Sequence, residues 1–123
     1  ERPAVAIGHV RLHTADIARA ARFFEALGMR PCMAWEGMAI LELRGGTHLL
    51  LIQSADDIQP TLDPMFDLMV DDIEAFRAGL IESGIAAGEI AAHPSIAHRR
   101  FFVTDPDGRR VAIYSDHTEG RSV

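Results

Sequence analysis

Two histidines, several arginines and a carboxylate fall at strand positions of one parity, where together they could grip a small charged or polar molecule. If Val10, Leu12, Phe66, Leu68, Val70, Val111 and Ile113 face a layer of helices, the alternate residues face the other way. That second set is His9, Arg11, His48, Leu50, Met65, Asp67, Met69, Arg100, Phe102, Arg110, Ala112 and Tyr114. Apolar and aromatic surface holding a few strong hydrogen-bonding groups is the usual make-up of a ligand cleft. His9, Arg11, His48, Met65, Asp67, Phe102, Arg110 and Tyr114 are therefore the candidate ligand-binding residues. His9 and His48 are also the candidate general bases, because imidazole titrates near neutral pH. Plain packing accounts equally well for Phe102, Met65 and Met69, and Arg11 and Arg110 could be solvated or ion-paired, Arg11 with Asp67. The cluster of Arg and His predicts an anionic or polar, partly aromatic ligand. Trp35 would line the same mouth if its strand parity allows.

These positions belong to a repeat. Residues 9–29 align without a gap on residues 65–85, matching Leu12 with Leu68, Asp16 with Asp72, Ile17 with Ile73 and Gly28 with Gly84. Each copy begins as an alternating strand, and its Asp then caps a helix with apolar residues at helical spacing. Gly28 and Gly84 close the two helices. Three short strands follow each helix: about 32–36, 38–44 and 47–53 in the first half, then 89–92, 99–104 and 109–115 in the second. Asp105-Pro106-Asp107-Gly108 is a strong hairpin turn, with Pro preset for the turn and Gly free to take positive φ. The reading is an α+β domain spanning 1–123, made of βαβββ modules 4–54 and 63–116 joined by a linker at 55–62. The two modules would form a curved mixed sheet, with helices on its outer face and a concave cleft.

The strands and turns that carry this pattern resemble the vicinal oxygen chelate superfamily of glyoxalase I, extradiol dioxygenases, fosfomycin-resistance thiol transferases and bleomycin resistance proteins. The carrying segments are His9-Val10-Arg11-Leu12 leading to Asp16-Ile17, Val70-Asp71-Asp72-Ile73, and Phe101-Phe102-Val103-Thr104 running into the Asp-Pro-Asp-Gly turn. The resemblance covers essentially the whole chain. It implies metal ligands at four strand positions, which fall here on His9, Leu50, Met65 and Ala112. His9 alone could ligate a hard or borderline divalent ion, so no metal is expected at that site. A displaced divalent-metal site using His9, His48 or Asp67 stays open. The character is closest to the metal-free bleomycin-resistance branch, which implies a homodimer that sequesters a small molecule. The alternatives are a glyoxalase-like lyase, isomerase or dioxygenase and a ligand-free interaction or regulatory module.

Bulk properties narrow the field. The chain has 123 residues, 48% of them hydrophobic, with a net charge of −6 and twelve basic residues that are all Arg. A negative balance argues against nucleic-acid binding. The longest apolar run, Leu49 to Ile52, is too short to span a membrane. The single cysteine, Cys32, forbids an internal disulfide and suits a reducing, cytoplasmic setting; no signal peptide is visible, but the chain starts at Glu1 without Met. Cys32 itself reads as a small buried apolar residue set apart from the histidines of the cleft. His93, His98 and His117 read as exposed.

Overall fold

The computed structural model describes residues 1–60, 66–92 and 98–116. The chain divides into two compact units, Pro3–Pro60 and Thr61–Val123, the latter joined by Glu1–Arg2. Among the described residues no helix is long and apolar enough to cross a membrane.

In the first unit, strand β1 (His9–Thr14) leads to helix α1 (Ile17–Ala26), and strands β2 (Arg30–Trp35), β3 (Met38–Glu42) and β4 (His48–Gln53) follow. The sheet order is β1-β4-β3-β2, with β1 parallel to β4 and the other neighbours antiparallel. The Asp16 carboxylate accepts the Arg19 backbone N–H at 3.1 Å and so starts the helix. Gly28, at φ 109°, ends it in a conformation that a side chain would disfavour. The helix lays Ala20 and Phe24 on the sheet, where Leu12, Ala39, Leu41, Leu49 and Leu51 complete a buried apolar core.

The second unit repeats the plan. Strand β5 (Asp67–Val70) leads to helix α2 (Ile73–Glu82), then to β6 (Ala91–Ala92), β7 (Arg99–Thr104) and β8 (Arg110–Ser115), in the order β5-β8-β7-β6. Asp72 caps α2 through the Ala75 N–H at 3.0 Å. The core here is Ile73, Leu80, Phe101, Val103, Val111 and Ile113. The structure thus has a four-stranded mixed sheet in each module, and β6 is reduced to two residues where the sequence suggested four. The Asp105-Pro106-Asp107-Gly108 turn is present and is built around a buried ion pair. Both Asp105 carboxylate oxygens are used, one by the backbone N–H groups of Asp107 and Arg109, the other by the Arg109 guanidinium.

Candidate functional site

Register decides which side chains can meet, because residues opposite each other in neighbouring strands share a face. In the first unit His9 stands opposite His48, His48 opposite Glu42, and Glu42 opposite Arg30. One row across the sheet therefore carries imidazole, imidazole, carboxylate and guanidinium. Its parity opposes that of buried Leu41 and Leu49, so the row lies on the face turned away from α1. The His9 and His48 ring centroids are 6.1 Å apart. His48 Nε2 lies 3.3 Å from Glu42 Oε2, and the other oxygen of Glu42 takes the Arg30 guanidinium.

Cys32 joins this row through an irregularity. The β2–β3 register slips between Pro31 and Met33, leaving Cys32 as the extra residue of a bulge. Ligand atoms of Cys32, Glu42 and His48 all lie within 4.8 Å of one another. This corrects the sequence reading of Cys32, which is exposed and stands beside a histidine of the candidate site. A bulge re-aims the side chain that simple alternation would send elsewhere. Glu42 was missed as well, although a signal existed. A β3–β4 hairpin centred on Gly45 pairs residue 42 with residue 48, as observed.

The remaining predicted residues of this unit divide. Arg11 is exposed and opposite Leu50, and its side chain makes no hydrogen bond or ion pair among the described residues. His9 is also exposed, and among the described residues its side chain meets the His48 ring rather than a hydrogen-bond partner. A cavity of about 400 Å³, lined by Gly28, Arg30, Glu42, Leu43, Arg44, Gly45 and Gly46, adjoins the row. It shares Arg30 and Glu42 with it.

In the second unit the structure brings together Arg100, Phe102, Arg110 and Tyr114 on the side opposite Phe101, Val103, Val111 and Ile113. The Arg110 guanidinium carbon sits 3.6 Å from the Phe102 ring centroid and that of Arg100 5.1 Å from it. Arg100 Nη1 donates to the Tyr114 hydroxyl at 3.3 Å. His98, expected to be exposed, is half-buried with its ring edge-on to Tyr114 at 6.3 Å. Asp67 is exposed at the end of the register row that runs through Ala112 to Phe102. Met65, His93 and His117 lie outside the described residues.

The superfamily's metal positions can be tested on this geometry. Arg11 faces Leu50 in the first unit just as its repeat mate Asp67 faces Ala112 in the second. Leu50 and Ala112 are thus equivalent, as the resemblance requires. Both are buried, with relative exposures of 9% and 0%, and a hydrocarbon side chain has no lone pair to offer. A metal held in that way does not fit these residues.

The comparisons with known proteins agree with the fold. The family model described as "Glyoxalase/Bleomycin resistance protein/Dioxygenase superfamily" matches residues 6–113. Among solved structures, a glyoxalase family protein from Bacillus anthracis superposes with a TM-score of 0.76 at 22% identity, covering 95% of this chain and 99% of that one. A lactoylglutathione lyase from Agrobacterium tumefaciens reaches 0.74 at 18% identity, covering 96% and 98%. Oxidase ChaP-H2 also reaches 0.74, at 20% identity and with 94% and 96% covered. At such identities the likeness speaks for the fold alone. No curated protein matches the sequence.

Proposed function

We propose that this chain, which belongs to the Glyoxalase/Bleomycin resistance protein/Dioxygenase superfamily, binds a small planar anion such as an aromatic carboxylate, without the metal of the superfamily's enzymes. The observation that carries the reading is the pair of guanidiniums against one ring, Arg110 at 3.6 Å and Arg100 at 5.1 Å from Phe102. A guanidinium stacked on a ring has its plane fixed, and a fixed fork recognises a carboxylate bidentately. Phe102 and Tyr114 supply aromatic surface beside it. Sequestration needs nothing more than this. A homodimer and a cytoplasmic setting belong to the same proposal.

The test is a binding series on the chelator-treated chain. Salicylate and 4-hydroxybenzoate should raise the melting temperature and give calorimetric heats, while phenol and benzamide should not. Arg110→Gln should weaken the acids at least tenfold, about 1.4 kcal/mol. Equal binding of the neutral analogues, or binding untouched in Arg110→Gln, would end the anion reading.

A second reading, a glyoxalase-like lyase, isomerase or dioxygenase, draws on His48 Nε2 lying 3.3 Å from Glu42 Oε2. A carboxylate that orients an imidazole makes a serviceable general base. Turnover of a hemithioacetal or catechol that disappears in His48→Gln would put this reading first.

A further inference from the structure

We propose that Cys32, Glu42 and His48 form a divalent-metal site of zinc type on the first unit's sheet, apart from the positions at which the superfamily's enzymes hold their metal. The inference is independent of the anion reading, which concerns the second unit.

Three different donors converge: a sulfur, a nitrogen and a carboxylate oxygen, all within 4.8 Å of one another. Zinc binds these donors at about 2.0–2.3 Å, so a tetrahedral ion needs roughly 3.4–3.6 Å between neighbouring ligand atoms. His48 Nε2 and Glu42 Oε2 already stand at 3.3 Å, one edge of that tetrahedron. The sulfur has at most about 1.2–1.4 Å to close, which an exposed side chain achieves by a torsion. A thiolate with an imidazole selects zinc and its neighbours over magnesium or calcium.

The framework also suits an ion. The ligands come from three adjacent strands, β2, β3 and β4, so the backbone holds them without a mobile loop. The Arg30 guanidinium engages the other Glu42 oxygen, the partner that orients a ligating carboxylate. The trio is not demanded by the fold. Where the first unit has Glu42 opposite His48, the repeat has Thr104 opposite Arg110, and among the described residues no ligand set arises there. Cys32 reaches its neighbours only because β2 bulges at that residue. Three protein ligands leave one coordination position for water or a small molecule, and the cavity lined by Arg30, Glu42 and Arg44 adjoins it. His9, one step along the row, is a further imidazole, its ring centroid 6.1 Å from that of His48.

Cobalt(II) titration of the full, reduced and chelator-stripped chain is the test. One equivalent should produce the thiolate-to-cobalt charge-transfer band and the visible bands of a tetrahedral ion, and one equivalent of zinc should remove both. Cys32→Ser should abolish the charge-transfer band, and zinc affinity should fall at least tenfold in Cys32→Ser and in His48→Gln. Both residues lie outside the buried core, so apo melting temperatures should stay near that of the parent chain. Arg110→Gln should leave the cobalt spectrum unchanged while losing aromatic-acid binding, which separates this proposal from the previous one. No thiolate band on the parent chain, or zinc affinity unchanged in both variants, would overturn it.

Discussion

Replacing Asp105 by Ala tests the structural support of the second unit at its most concentrated point. The Asp105 carboxylate is fully buried and serves four donors. Oδ1 accepts the backbone N–H groups of Asp107 at 3.1 Å and Arg109 at 2.7 Å, while Oδ2 accepts Arg109 Nε at 3.1 Å and Nη2 at 3.0 Å. Arg109 is itself buried at 8% exposure, so the alanine variant strands a guanidinium whose remaining carboxylate partner is Asp107, at 3.1 Å. Removing one member of a buried pair costs about 3–5 kcal/mol, because the surviving charge stays desolvated. Asp105→Asn keeps an oxygen for the two turn N–H groups and loses only the charge-assisted part, about 1.5–3 kcal/mol. Urea unfolding followed by circular dichroism gives both numbers. With a slope of about 2 kcal/mol/M, the alanine variant should unfold roughly 2 M earlier and the asparagine variant about half as far. The hairpin also sets the register that brings Arg110 over Phe102, so acid binding should fall with stability. An alanine variant within about 1 kcal/mol of the parent would refute the reasoning, since the turn would then stand without its ion pair.

The two helix caps predict paired effects. Asp16→Ala and Asp72→Ala should each cost about 1 kcal/mol, with Asn at either position restoring most of it, as read from melting temperatures. Glu74 predicts a pH dependence. Its hydrogen bond from Arg99, and then one from its own backbone, hold its carboxyl below the ordinary glutamate range. A group whose pKa is depressed by folding stabilises above its unfolded pKa, and that contribution drains away as the pH falls through the folded value. The stability difference between the parent and Glu74→Gln should therefore be flat near pH 7, shrink below about pH 4.3 and shrink also in 1 M salt. A difference that grows on acidification would contradict the sign.

Much of the fold was legible because local rules and the repeat point the same way. The Asp caps, the closing glycines and the alternation of β1 and β7 each follow from a residue's own chemistry, and each appears in the structure. The candidate site was legible only in part. Strand parity located His9 and His48 on one face but said nothing of who stands beside them. Glu42 required the hairpin register, and Cys32 required a bulge, which period-2 reasoning cannot anticipate because it inserts one residue into the count. Arg109 was not legible, for a different reason: a charged residue next to a turn looks solvated unless the turn sets a carboxylate, here Asp105, against it. His98 is half-buried, edge-on to Tyr114, which is distant in sequence and near it only in the fold.

The bulge in β2 has an effect beyond the aim of one thiol. That strand is the outermost of its sheet, and both Met33 and Trp35 stand exposed on it, at 61% and 51%. A smooth apolar rim of this kind would invite another polypeptide to continue the sheet by backbone pairing. Here the rim is unsuited to templating: Pro31 carries no N–H, and the next residue throws the spacing out of step. A second molecule meeting this rim would have to engage Met33 and Trp35 as side chains, in a contact of finite size, and could not prolong the sheet strand by strand into a fibre.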